Sequence, residues 1–360
     1  MTAPEREIRI VSVGTELPGE PVDNAALARF LGMDTLWEQW VDAFIGTRSR
    51  HMATDLATGE LRHSLADLCA AAGRRALAAA GLESGPGPGP GDGSSPADGA
   101  AVDLVVLGTA TPDQLMPATV NMVAERLGVN DVSTFQLQSG CTGAIQALDV
   151  AHQLLLAGRH ETALVLGGDV CTRIYDVTTD FAALPPAELV NAALFGDGAG
   201  AAVLTARPGQ GGIAIRHVLT RLTGLGRPPG QVLEWFTRSD RGSDRPAASE
   251  DYKAIEASVP VLAGEIVDEL LDTLEWKVDE LDYLLPPQLS GRMTARIVEH
   301  LGLDGPREIS CVERTGNNGN ALPFLQLERL LELATTGDRA AVVAVESSKW
   351  IKGGLAVERL

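Results

Sequence analysis

A helix-plus-strand unit occurs twice in this chain, and no other feature narrows the fold as much. In the first copy the Ala/Leu-rich run 64–80 stops at Gly81, and the buried-strand pattern of residues 102–107 follows in AVDLVVLGTATPD. In the second, the long apolar-periodic run 252–274 leads into residues 281–285 within DTLEWKVDELDYLLPPQLS. The first run has helical periodicity; the second is a short apolar stretch of strand length. Strand and helix patterns alternate throughout, with further strands at 8–13, 132–137, 162–166, 201–205, 213–219, 309–312 and 340–346. Further helices fall at 24–31, 35–44, 117–127, 143–156, 291–301 and 323–333. Such alternation implies α/β layers. The repeat divides the chain into two similar halves, 1–205 and 206–360.

Aromatic residues make up only 4% of the chain, so small aliphatic side chains must pack the layers closely. The stretch 83–100, ESGPGPGPGDGSSPADGA, is too polar and Gly/Pro-rich to bury itself. It reads as a surface insertion, because a strand pattern resumes directly after it. The formal charge of -19 excludes the basic footprint of a nucleic-acid binder. The four cysteines form no CxxC pair, so neither a disulfide framework nor a zinc or other metal site is expected. The charged N-terminus has no apolar signal region, and no segment reaches the roughly 18 apolar residues of a membrane span. The expectation is a cytoplasmic protein that engages no membrane.

Cys141 lies between the strand pattern 132–137 and the helix pattern 143–156, in FQLQSGCTGAIQALDVAHQLLLAG. A cysteine in apolar surroundings is most often core filler. At a helix N-terminus, however, free backbone N–H groups and the helix dipole favour the thiolate, and thiolates attack carbonyls. FGDGAGA at 195–201 lacks the Lys-Ser/Thr of a phosphate loop.

Four blocks give the chain a specific resemblance. They are FIGTRSRHM (44–52), GTATPDQLMP (108–117), SGCTGAIQALDVA (139–151) and LFGDGAGAAVL (194–204). In this order they resemble the thiolase superfamily, specifically the β-ketoacyl-acyl-carrier-protein synthase III family, from residue 8 to the C-terminus. The resemblance implies a thiolase-like fold, a duplicated five-layered α-β-α-β-α arrangement in a homodimer. It also implies acyl groups delivered as coenzyme A or phosphopantetheine thioesters, from acyl-CoA or an acyl carrier protein, with no permanently bound cofactor.

The family's catalytic set is Cys, His and Asn. Cys141 matches the nucleophile and Asn317, in TGNNG, matches the asparagine. The PHQAN-like segment reads PPQLS here, so Pro287 stands at the histidine and Ser290 at the following asparagine. Proline cannot donate a hydrogen bond to an enolate, so decarboxylative condensation is not expected. Backbone N–H groups of Cys141 and, by the resemblance, Gly354 would form the oxyanion hole. Glu313, four residues before Asn317, is a candidate base if burial raises its pKa. The six histidines (His51, His63, His152, His160, His217, His300) read as surface or structural residues. The resemblance further assigns nucleotide contacts to Trp40, Arg173 and Arg292. Phe44 replaces an arginine, which tilts the donor toward a carrier protein, with Arg173, Arg292 and Arg296 as a local basic patch. Asp197 would brace the FGDG turn, and the loop at Met116 would shape the acyl pocket at the dimer interface.

These features favour an acyltransferase of secondary metabolism, of the antibiotic or polyketide type, passing an acyl group from Cys141 to a hydroxyl, amine or thiol. The alternatives are a decarboxylating, carbon–carbon-forming synthase III, with Ser290 or water supplying the missing donor, and a non-catalytic partner of an active synthase.

Overall fold

The computed structural model describes residues 6–82, 102–174, 180–184, 186–209, 211–234 and 248–360. The insertion expected at 83–100 lies outside the described residues.

Ten strands carry the architecture. The first five are β1 (Arg9–Glu16), β2 (Leu104–Thr109), β3 (Ser133–Gln138), β4 (Thr162–Asp169) and β5 (Gly198–Thr205). They are followed by β6 (Ile213–Leu222), β7 (Tyr283–Leu285), β8 (Arg307–Glu308), β9 (Arg339–Glu346) and β10 (Ile351–Arg359). The spatial order is β3-β2-β4-β5-β1 in the first set and β8-β7-β9-β10-β6 in the second. Numbered within its own set, each order reads 3-2-4-5-1. In each, the first three spatial neighbours run parallel and the last two pair antiparallel. Edge to edge the two sets are joined where Arg9 pairs with Ala214 and Ile10 with Ile213 and where Ile215 N donates to Ile8 O.

Strand alternation then builds the layers, because neighbouring residues face opposite sides. Leu104 and Val106 point to one core, Val105 and Leu107 to another. The central core takes residues from both sheets together with helices over Gly143–Leu156 and Leu322–Leu333. One outer layer packs the helices Leu65–Ala79 and Thr119–Leu127 on the first sheet. The other packs Tyr252–Leu274 and Gly291–Leu301 on the second. We name these helices in chain order α1 (65–79), α2 (119–127), α3 (143–156), α4 (252–274), α5 (291–301) and α6 (322–333). The result is the α-β-α-β-α stack that the resemblance implied.

The scarcity of aromatics has its expected consequence. Ala144, Ala147 and Ala151 of α3 are fully buried against Ala163 and Ala202 of the sheet. Enlarging any one of them would force displaced neighbours at about 1–3 kcal/mol. Local signals also hold. Ser64 and Asp67 form a capping box at the start of α1, and Gly128 and Gly302 close α2 and α5 in the left-handed region.

The sequence expectation omits β10 and the helix Pro186–Leu194 and shifts several element ends; two of the differences have a plain cause or form. The strand expected at 309–312 is instead Arg307–Glu308, and a helical turn starts at Val312. The amides of Cys311 and Val312 are drawn to the Gln288 side chain, which ends strand pairing there. The helix expected at 35–44 is α-helical over Thr35–Trp40 and widens into a π-turn over Val41–Ile45.

Candidate active site

Parallel strands β2, β3 and β4 end on one rim of the first sheet, where α/β folds usually place their chemistry. Cys141 sits in the turn from β3 into α3. Two close approaches seat that turn. A Cβ on Gly108 would collide with the Gly143 carbonyl, and a Cβ on Gly143 would collide with Asn320 Oδ1. Asn320 clamps the turn from both ends, since its Oδ1 accepts from Ala144 N at 2.8 Å and its Nδ2 donates to Ser139 O at 3.1 Å.

The same clamp corrects the expectation of a favoured thiolate. Gly143 N donates to Gly140 O, and Ala144 N is taken by Asn320, so the first amides of α3 are already satisfied. Burial pushes the Cys141 thiol well above the usual thiol range, and the charges of Glu346, Asp169 and Glu250 add to it. One backbone hydrogen bond opposes the rise without cancelling it. At rest Cys141 is therefore held as the thiol.

Asp169 ends β4. Its Oδ1 accepts from Thr109 Oγ1 (3.0 Å), Ala110 N (2.7 Å), Thr111 N (3.1 Å) and Thr111 Oγ1 (3.1 Å). Its Oδ2 accepts from both Asn320 N and Asn320 Nδ2 at 2.8 Å. Burial raises its carboxyl even against these bonds. Glu346 ends β9, and only 1% of its surface is exposed. Its Oε1 accepts from Ser348 N at 2.7 Å, while its buried Oε2 has no hydrogen-bond partner among the described residues. That oxygen lies against Gly140, where an added Cβ would collide with it. Glu250, on the short strand Ala248–Glu250, completes the acidic set, held by Tyr252 and Gln231 and raised chiefly by burial.

The segments assigned to the remaining catalytic positions follow the second sheet's strands and the turn after Gly316. Pro287 is buried, and its carbonyl accepts from Thr294 Oγ1. The Gln288 side chain is held in the second sheet's own loops, where Oε1 accepts from Cys311 N and Val312 N and Nε2 donates to Ser310 Oγ. Ser290 caps α5, accepting from Met293 N at 3.1 Å. Asn317 is 3% exposed. Its backbone bridges to Leu194 and Gly196, its Oδ1 accepts from Gly319 N, and its Nδ2 has no hydrogen-bond partner among the described residues. Asp197 anchors the FGDG turn as expected of a brace, accepting from Ala53 N and Thr172 N, and burial raises it to about 6.

Three assigned residues make their contacts away from Cys141. Gly354 lies inside β10, paired to Val343 and Leu219, and its α-carbon faces Ile266 and Leu270 of α4. Its neighbour Gly353 is the one that faces Thr142 and Ile145. Gly354 is therefore corrected from an oxyanion donor to a sheet residue at a close helix–sheet approach. Glu313 is half-exposed and ion-paired with Arg48 at 3.7 Å. It lines an open cleft of about 440 Å³ with Asp42, Arg48 and Arg292, and is not among the charges acting on Cys141. Arg173 braces the 112–113 loop through Asp113 and the Pro112 carbonyl, away from that cleft's lining.

The remaining assigned cations and aromatics gather differently. Arg292 donates to Ala43 O at 2.9 Å, which joins the cleft to the segment bearing Trp40 and Phe44. Trp40 is half-buried with its ring 6.3 Å from that of Phe44, which is 68% exposed. Arg296 pairs with Glu256 at the surface.

Sequence reading missed Asp169, Asn320 and Glu346. A signal existed for each: an acid closing the apolar strands TALVLGGD and RAAVVAVE, and a third asparagine in GNNGN.

Comparison with known proteins completes the description. Residues 135–221 match the family model of 3-oxoacyl-[acyl-carrier-protein (ACP)] synthase III. The β-ketoacyl-[acyl-carrier-protein] synthase III of Paramagnetospirillum magneticum is 33% identical over 87% of this chain and 86% of its own length. That of Neisseria meningitidis serogroup C is 30% identical over 89% of each. Among solved structures, AbyA1, described as a tetronic acid condensing enzyme, has 59% identity, covers 98% of this chain and 99% of its own, and has a TM-score of 0.90. The 3-oxoacyl-(acyl carrier protein) synthase III of Pseudomonas aeruginosa PAO1 has 28% identity, 98% coverage of each chain and a TM-score of 0.81.

Proposed function

Because this chain belongs to the β-ketoacyl-[acyl-carrier-protein] synthase III family, we propose that it is a condensing enzyme of secondary metabolism that works through an acyl-Cys141 thioester and forms a tetronic-acid-type ring. The observation that carries this reading is the pairing of a seated Cys141 with a donor segment in which Pro287 stands and the Gln288 side chain is tied to Cys311, Val312 and Ser310. The 59% likeness to a tetronic acid condensing enzyme supports the product class.

The constitution of the ring explains why such a segment would suffice. A tetronic acid is a five-membered β-keto lactone. Its closure needs one ester bond and one carbon–carbon bond, each made by attack on a thioester. The attacking carbon can be the acidic methylene between two carbonyls of a 3-oxoacyl thioester. It loses a proton rather than carbon dioxide, so it makes no demand for the decarboxylating histidine. The hydroxyl then comes from a 2-hydroxyacyl partner. This joins the hydroxyl-acceptor acyl transfer expected from the sequence to the carbon–carbon bond formation of the family.

In this reading Cys141 Sγ attacks the donor carbonyl and the donor thiol departs. Asn317 Nδ2, without a hydrogen-bond partner among the described residues, supports transition-state charge. Arg48 and Arg292, in the cleft that Asp42 and Glu313 also line, are the candidate contacts for the anionic end of a phosphopantetheine or coenzyme A thioester. Both acyl-CoA and acyl carrier protein remain donors to test, and a homodimer remains the expected assembly.

Intact mass after incubation with acyl-CoA and acyl-carrier thioesters tests the reading. Wild-type protein gains the acyl mass, Cys141→Ala does not, and a malonyl thioester releases no carbon dioxide. A mass gain surviving in Cys141→Ala overturns the nucleophile. Rapid carbon dioxide release restores the decarboxylating synthase.

A further inference from the structure

Four carboxylates stand within or beside the site, and their partners separate them. Asp169 is saturated by six donated hydrogen bonds. Glu250 is held by Tyr252 and Gln231. Glu313 is half-exposed and paired to Arg48. Glu346 alone among them is buried with one oxygen fixed and the other without a hydrogen-bond partner among the described residues. A buried oxygen without a partner costs stability unless it is used. This one lies against Gly140, the residue before the nucleophile.

We propose that Glu346 is the proton acceptor for the steps at Cys141, taking the part that the residue at position 287 cannot play. The proposal rests on the acyl-Cys141 reading above. In loading, the S–H bond of Cys141 breaks and its proton passes to Glu346 Oε2. The sulfur electron pair forms the new C–S bond, and the departing donor thiolate takes the proton back. In transfer, a C–H or O–H bond of the acceptor breaks and its proton moves to Oε2. The freed electron pair closes on the acyl carbon, the C–S bond breaks, and the Cys141 thiolate collects the proton. No oxidant or external base is needed, and Glu346 ends each cycle as it began.

The cysteine's own chemistry makes such a group necessary. A thiol raised by burial cannot attack without losing its proton at that moment. The Ser348 amide on Oε1 holds the carboxylate so that Oε2 stays toward the turn.

The test compares wild type with Glu346→Gln, which preserves shape and the acceptor for Ser348 N. First, alkylation of Cys141 by iodoacetamide is followed against pH, with the labelled peptide located by mass. The charged groups acting on this thiol are Glu346 from β9, Asp169 from β4 and Glu250 from its short strand, with Cys171 adjacent. Loss of the Glu346 charge moves the alkylation curve to lower pH. An unmoved curve overturns the proposal; since Asp169 and Glu250 act on the thiol by charge alone, the discharge measurement is the one that separates a proton acceptor from a structural charge. Second, acyl-Cys141 is formed from the N-acetylcysteamine thioester of a 2-hydroxy acid and discharged to acetoacetyl-N-acetylcysteamine. Glu346→Gln slows discharge about 10²-fold or more, and discharge within about threefold of wild type overturns the proposal.

If the Gln variant fails to fold by circular dichroism, Glu346→Asp, which keeps the charge and withdraws it, is used. The expected result is then an unshifted alkylation curve with slowed discharge, and unimpaired discharge overturns the proposal. Wild type that never acylates sinks the acyl-Cys141 reading and this proposal with it. Wild type that acylates beside an equally active variant sinks this proposal alone.

Discussion

β4 and β9 are the fourth strands of the two sheets, they occupy the same place in the 3-2-4-5-1 order, and each ends in a buried acid near the same cysteine. Asp169, in the first sheet, collects donors from the 109–111 loop and from Asn320, and so ties the first sheet to the segment after Gly316. Glu346, in the second, has one backbone donor and one open oxygen. Equivalent positions in a repeated topology have thus been given opposite jobs. A saturated carboxylate holds geometry, because every lone pair already has a hydrogen. A half-satisfied one retains the capacity to take a proton.

Substitutions can break that contrast. The largest effect is expected at Asp169. Asn would present N–H groups to an array of six donors, leaving several unpaired, so Asp169→Asn should cost about 2–4 kcal/mol in urea unfolding. Glu346→Gln should stay within about 1 kcal/mol of wild type by the same measurement. Equal costs would erase the distinction between the two acids.

Next comes Gly140, whose missing Cβ makes room for Glu346. Gly140→Ala should destabilise by about 1–3 kcal/mol, and Glu346→Ala in the same chain should recover at least about 1 kcal/mol of it. A purely additive double-mutant cycle would place the two residues out of contact.

The smallest effect sharpens the comparison with a third buried acid. Burial raises Asp197 in the fold from 3.8 to about 6. Between those values the native state holds more proton than the unfolded chain. The stability this carboxyl contributes is complete below 3.8 and is lost as pH rises through about 6. Unfolding midpoints of Asp197→Asn and wild type across that window should therefore change in wild type's disfavour as pH rises. Parallel curves would contradict the raised carboxyl.

Much of this was legible in the chain because it rests on local periodicity. The strand and helix patterns of 102–107, 143–156 and 252–274 recur as elements, since the period of apolar residues decides which face can be buried. Cys141 was legible from its place between a strand and a helix. The thiol's charge state was not, because it depends on Asn320 occupying an amide from 176 residues away and on acids from three separate strands. Gly354 was misassigned for a related reason. Two adjacent glycines in a strand look alike in sequence, yet their α-carbons face opposite layers, one toward α3 and one toward α4.

By itself the sequence determined the layered α/β architecture, the duplicated order of its units and the candidate nucleophile, because apolar spacing and turn residues act over a few positions. The tertiary structure alone decided which buried acid is saturated and which is open, since hydrogen bonds between distant segments exist only after the two sheets have closed around α3 and α6.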